Sequence, residues 1–389
     1  MNSNKALQVP YGTRDVLPGE AGARRALEND VAAVFKAWGY DEVKTPAFEY
    51  YDTFAVAGQK SDTDFKFFDR LNNILVLRSD MTTPLARMVA MRLKGDGVKR
   101  LFYLANLFRY EDSQAGRQCE FSQAGVEMMG AAGPCADAEM LALAVASVQA
   151  AGLSDFTVSL GHIEFINGLI EAAGFDAGQA QSIKECLIRH DVVGLCSLVE
   201  ATDMSNEHKE LFKRLPFMHG GSELLDKLNA AGLNERSQNA LRDLRDIYQL
   251  AEAYGIASCL RFDLSLLRSL DYYTGMIFEG YTADIGFPIF GGGRYDNMMQ
   301  NFGKVCPATG FAIGIERVML VLERRKALVT ASRWDVLVAF APGKTQEAIA
   351  ESLRLRKAGR SVKMAVGPMS FEEARSAQLQ SGCDSLLYI

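Results

Sequence analysis

Residues 100–128 read RLFYLANLFRYEDSQAGRQCEFSQAGVEM. The run 100–108 is largely apolar and reads as a strand. Residues 110–120 are polar and contain glycine, and 121–128 reads as extended again. Side chains two and four apart on an extended strand share a side, so Gln123 and Glu127 face the same way. Similar short strands recur on both sides of this stretch. FKFFD at 65–69 and ILVLR at 74–78 are joined by a polar turn around Asn72-Asn73. Further strand signals lie at 156–160, 260–263, 275–281 and 309–313. Many strands with hairpin-like links, bounded by helices, indicate an α+β fold rather than a repeated βαβ plan.

Helical periodicity frames these strands. Leu27, Val31, Val34 and Phe35 recur at three- and four-residue spacing in the helix before Gly39. Residues 82–92 start a helix that Thr82 or Thr83 could cap, with Pro84 in the first turn. The alanine-rich stretch 137–151 is a third helix, with Asp137 as its expected cap. The composition changes after Leu160, and 163–254 carries mainly helical patterns, as an insertion would. Helix is expected again over 314–327. Residues 328–332 are expected to be a linker. From 333 to 389 strand and helix alternate as βαβαβ, which predicts a small α/β domain with a parallel sheet.

Composition narrows the function classes. The chain has 389 residues, 42 basic against 48 acidic, and a net charge of −6, so it lacks the strongly basic balance typical of nucleic-acid binders. Seven cysteines without CxxC spacing and four scattered histidines offer no recognisable zinc site. No apolar leader and no run of membrane-spanning length is visible, so a cytoplasmic protein without membrane association is expected. There is no GxxxxGK[ST] loop, no GxGxxG fingerprint and no GxSxG elbow. Neither a metal nor a cofactor is expected.

The residues able to carry chemistry are polar groups set in strand-like runs. Arg109 and Arg117 offer planar donors to carboxylate or phosphate, and Phe121 can stack on a base. The same stretch also reads as a surface hairpin laced by salt bridges. Asp80 can hold an ammonium group, and Thr82 either contacts a ligand or only caps its helix. LLRSLDYYTG brings Arg268, Asp271, Tyr272 and Tyr273 together. GGGRYD sets Arg294 and Tyr295 behind three glycines that permit close backbone approach to a ligand. Arg317, in GFAIGIERVML, either clamps an anion or pairs on a helix surface. Cys119 has no histidine nearby in sequence and reads as structural or incidental.

In order along the chain, TPAFEY (45–50), FRYE through FSQAGVE (108–127) and GFAIGIERVML (310–320) resemble the three motifs of class II histidyl-tRNA synthetases. RSLDYY (268–273) and GGGRYD (291–296) resemble their histidine-specific signatures. The resemblance covers residues 10–327. It implies a six- or seven-stranded antiparallel sheet flanked by helices, a histidine-binding core over 1–327, and a homodimer built partly through the first motif.

Three departures point to a paralogue of these enzymes. LRSDMTTP stands where the synthetases have LRPEGT, so Asp80 replaces a glutamate. GRQC stands for GRxR, so Cys119 replaces the second arginine. The 57-residue tail is shorter than an anticodon-binding domain. The combination resembles the regulatory subunits of ATP phosphoribosyltransferase. That resemblance implies no catalytic residue and no independent catalysis. It implies activation of a short-form catalytic subunit, feedback inhibition by histidine and a hetero-octamer, with no tRNA bound. It also assigns Asp80, Thr82, Arg109, Gln123, Glu127, Arg268, Tyr272, Tyr273 and Tyr295 to histidine. Within that set, Glu127, Tyr272 and Tyr295 take the imidazole side, Asp80, Thr82 and Gln123 the amino side, and Arg268 the carboxylate. Arg109, Arg117, Phe121 and Arg317 would be a vestigial nucleotide site. The alternative is an active histidyl-tRNA synthetase with a shortened tail.

Overall fold

The computed structural model describes residues 5–57, 62–93, 95, 97–110, 118–228, 233–268, 272–328 and 334–389. Arg117, Asp271 and most of the expected linker lie outside these residues. The chain divides into two compact units, Met1–Arg14 with Leu27–Ala327, and Asp15–Ala26 with Leu328–Ile389. The division differs from the sequence reading in grouping residues 15–26 with the tail.

The larger unit is built on one nine-stranded sheet. In spatial order its strands are Asp41–Glu42, Lys99–Phe108, Glu120–Met129, Ala308–Gly314, Phe290–Arg294, Met276–Tyr281, Thr157–His162, Leu260–Asp263 and His219–Gly220. The central pairs are antiparallel. Six consecutive strands, from Lys99–Phe108 to Thr157–His162, form the expected antiparallel sheet, and Asp41–Glu42 and Leu260–Asp263 extend it parallel to their neighbours. A parallel neighbour needs a long crossover connection. The helical insertion supplies one, because it leaves from Thr157–His162 and returns at Leu260–Asp263.

The longest pairing is the opening stretch itself. Lys99–Phe108 and Glu120–Met129 pair over their full lengths, with Tyr103 opposite Gly125 and Leu101 opposite Glu127. Phe290–Arg294 is a strand where the sequence reading assigned no element. Apart from Phe290, its FGGGR sequence lacks the branched and aromatic side chains that mark strands, yet it is buried in the middle of the sheet. A separate three-stranded sheet joins Phe48–Tyr50, Ile74–Leu77 and Lys66–Phe68. Its hairpin turns at Asn72, where φ is +62°, and the Asp69 carboxylate accepts from the Leu71 and Asn73 amides at 2.8 Å each.

Two expected caps are corrected. The helix Thr82–Arg92 begins with both threonines inside it. The Thr83 amide donates to Asp80 Oδ1 at 2.8 Å, so Asp80 serves that helix end. The alanine-rich helix runs Pro134–Ala150 behind Gly133. Asp137 lies in its first turn and is paired with Arg294 instead of capping.

Inside the insertion, side chains set the helix starts. Asp176 and Gln179 form a capping box for Ala177–Ile188, and Asp191, Ser205 and Asn234 cap Val192–Glu200, Asn206–Arg214 and Glu235–Ala253. In the smaller unit, Trp334–Ala339 lies between Val362–Met364 and Cys383–Tyr388, all parallel, with helices Thr345–Lys357 and Phe371–Ser381 as the crossovers. Among the described residues no helix is long and apolar enough to cross a membrane.

Candidate functional site

The face of the large sheet is cleared by glycines, and polar side chains lie down on the space they leave. An added Cβ at Gly310 would overlap Glu127 Oε2. At Gly291 it would overlap Arg268 Nη1, at Gly125 the Tyr103 hydroxyl, and at Gly293 it would press on the Tyr273 ring. Gly314 carries the Arg317 stem in the same way. The glycines of GGGRYD and GFAIG therefore accommodate the protein's own side chains. Gly291, Gly292, Gly310 and Gly314 also border the cavity above them.

Above this floor is a cavity of about 570 Å³, within the range of about 300–1,000 Å³ of small-molecule sites. Its walls include Asp80, Thr82, Arg109, Gln123, Glu127, Arg268, Tyr272, Tyr273 and Tyr295, together with Phe121 and Arg317. Every described residue singled out for a ligand by the resemblance thus borders one space. Strand, helix and loop segments more than 200 residues apart in sequence supply them.

One end of the cavity is acidic. Glu127 is 2% exposed; Thr82 Oγ1 donates to its Oε1 at 2.8 Å and the Tyr295 hydroxyl to its Oε2. Burial, with the charge of Asp80 adding to it, pushes the Glu127 carboxyl up to about 8, against the lowering effect of those two hydrogen bonds. Asp80 is also buried. Its Oδ1 is bound to the Thr83 amide, while Oδ2 has no hydrogen-bond partner among the described residues. Burial raises the Asp80 carboxyl too, although the Thr83 amide and Arg109 pull it down. Tyr272 packs against both Tyr273 and Tyr295, with ring centroids 4.8 and 5.7 Å apart, so the acids sit in an aromatic wall.

Three arginines also border the cavity. Arg268 Nε lies 3.5 Å from Glu279 Oε1, its Nη1 is 3.5 Å from the Phe278 carbonyl, and its guanidinium stands over the Tyr273 ring at 5.8 Å. These are long contacts for a group with five donors. Arg109 donates from Nε to the Ser79 carbonyl at 2.7 Å and stacks on Phe121 at 5.5 Å. Arg317 donates to the Pro288 carbonyl at 2.7 Å and lies over Phe287 at 5.1 Å.

Other candidates fall elsewhere. Arg294 turns away from the cavity and binds Asp137 bidentately at 3.0 and 2.8 Å, with Asp296 at 3.0 Å. Cys119 is 1% exposed and its amide donates to the Gly12 carbonyl at 2.7 Å, a packing role. Sequence reasoning missed cavity residues as well. Tyr103, Glu279 and Tyr281 come from the strands, and Leu187, Ile188 and His190 from the insertion. Tyr103 had a signal, its place two residues from the Leu101 that faces Glu127, but it lies in an apolar run that reads as core.

Comparison with known proteins gives this cavity a context. The histidyl-tRNA synthetase family model matches residues 12–318. The ATP phosphoribosyltransferase regulatory subunit of Acetivibrio thermocellus is 38% identical over 98% of this chain and 92% of its own. That of Symbiobacterium thermophilum is 42% identical over 92% and 90%. This chain belongs to the ATP phosphoribosyltransferase regulatory subunit family. The regulatory-subunit family carries the synthetase fold, and solved structures agree. A crystal structure of an ATP phosphoribosyltransferase regulatory subunit/histidyl-tRNA synthetase from Bacillus halodurans superposes with a TM-score of 0.89 at 30% identity, covering 100% of this chain and 99% of that one. Histidyl-tRNA synthetase from Nostoc, at 20% identity, shares the fold with a TM-score of 0.83 over 97% of this chain and 90% of that one. The class II α+β architecture read from the motifs is thereby established for this family member.

Proposed function

We propose that this chain is a non-catalytic regulatory subunit. It assembles with a short-form catalytic subunit of ATP phosphoribosyltransferase, activates it, and carries feedback inhibition by histidine in the first step of histidine biosynthesis. The observation that carries the histidine reading is the buried Asp80 Oδ2, which has no partner among the described residues, on a side chain that borders the same cavity as Glu127 and the loosely held Arg268. A buried acceptor without a partner costs stability, of order 1–3 kcal/mol, unless a ligand supplies the missing donor. An amino acid with an imidazole side chain offers an ammonium for Asp80, a ring N–H for Glu127 and a carboxylate for Arg268. Ionised partners make these hydrogen bonds the stronger kind.

The second reading, aminoacylation, draws on Arg109, Phe121 and Arg317 at the same cavity. Against it stands Cys119, packed at Gly12 where the synthetase motif has its second arginine. A cytoplasmic homodimer within a hetero-octamer is the assembly this role entails. If histidine favours an inhibited assembly, that assembly binds histidine more tightly, by reciprocity of linkage. Calorimetric titration of the purified protein with histidine is expected to give saturable binding, while incubation with cognate tRNA, ATP and histidine gives no charging. Sustained charging free of contaminating synthetase would replace this reading with the second.

A further inference from the structure

We infer that Tyr103 is a specificity-determining residue of the cavity, its hydroxyl oxygen accepting a hydrogen bond from the ammonium group of the ligand. The inference rests on the histidine reading above and adds a recognition group to it. Gln123, Gly125 and Glu127 alternate onto the cavity face of one strand, and Tyr103 stands directly opposite Gly125 on the next. Its ring lies across the space of the missing Gly125 side chain. The phenol therefore occupies the slot between the two residues on either side of Gly125. Glu127 and Arg268 are held over glycines in the same manner.

Tyr103 is 2% exposed, and its hydroxyl makes no hydrogen bond to the described residues. Buried tyrosine hydroxyls ordinarily find a partner. Burial, reinforced by the charges of Glu127 and Asp80, raises the phenol well above its usual range, so it stays protonated and keeps lone pairs to accept with. An ammonium has three donors. Asp80 Oδ2 takes one, and the oxygens of Gln123 and Tyr103 provide for the others from the neighbouring strands.

The test compares wild type with Tyr103→Phe by calorimetry, using L-histidine and its des-amino analogue imidazole-4-propionate. The variant is expected to lose about tenfold in histidine affinity and to bind the analogue within about twofold of wild type. Its melting temperature is expected to stay the same or rise, because the hydroxyl it lacks has no partner among the described residues. Unchanged histidine affinity in the variant, or equal losses for both ligands, would overturn the assignment. A variant that binds less and also melts lower would assign Tyr103 to packing instead. Absence of histidine binding by the wild-type protein would overturn the histidine reading, and this inference with it.

Discussion

Glu127→Gln is expected to weaken histidine binding about 100-fold near neutral pH, the scale of a charged hydrogen bond lost from a buried site. The pH profile separates this from general damage. In the free protein the Glu127 carboxyl titrates at about 8, and a free imidazole titrates near ~6.5. The bound pair holds one proton between ring and carboxylate, beyond the ring's own N–H. Between those two values the separated partners already carry that one proton, so binding neither takes up nor releases any. Below the window a proton must leave, and above it one must enter. Affinity is expected to be flat inside the window and to fall about tenfold per pH unit on either side. The glutamine variant is expected to lose the alkaline fall. Titrations from pH 5.5 to 9 check both statements.

The same residue ties stability to pH. The folded carboxyl is raised from 4.5 to about 8, so the folded state binds more protons than the unfolded one throughout that interval. Stability contributed by this group therefore falls as pH rises through the interval and is lost above it. Glu127→Gln removes that cost, so its melting temperature should gain on wild type as pH goes from 6 to 9.

Arg294→Ala is expected to destabilise the protein by about 3–5 kcal/mol, the usual consequence of removing one partner of a buried ion pair. Its side chain is 8% exposed and that of Asp137 is 6%, and no other cation is paired with Asp137 among the described residues. Besides Asp137, Arg294 reaches Asp296 and the Ala131 carbonyl, joining the central strand to the start of the helix Pro134–Ala150. Urea unfolding monitored by circular dichroism measures the loss. Histidine affinity of the fraction still folded should be nearly unchanged, since the side chain does not border the cavity. A stable variant with lost binding would return Arg294 to the ligand site.

Arg294 and Tyr295 show what the chain discloses locally and what it does not. The motif GGGRYD marked both residues as functional, but adjacent positions on a strand face opposite sides of the sheet. Tyr295 donates to Glu127 across 168 positions, and Arg294 binds Asp137 across 157. Only the sheet order brings those partners together. The three glycines hid a strand because glycine carries no strand propensity, whereas their meaning is steric and depends on neighbours. Conversely, Leu260–Asp263 was read at its observed boundaries, since the alternation of apolar and polar residues in LRFD is a local signal. The candidate ligand residues were legible through motif resemblance. Their burial, and the orphaned oxygen of Asp80, follow from packing and were not.

The most direct measurement is the rate of phosphoribosyl transfer from PRPP to ATP by a short-form catalytic subunit, with this protein absent, present, and present with histidine. A regulatory subunit raises the rate on assembly, and added histidine then lowers it with a dependence that Glu127→Gln shifts to higher concentration. A rate that stays at that of the catalytic subunit alone, although the two proteins co-elute as one assembly, would contradict the regulatory role.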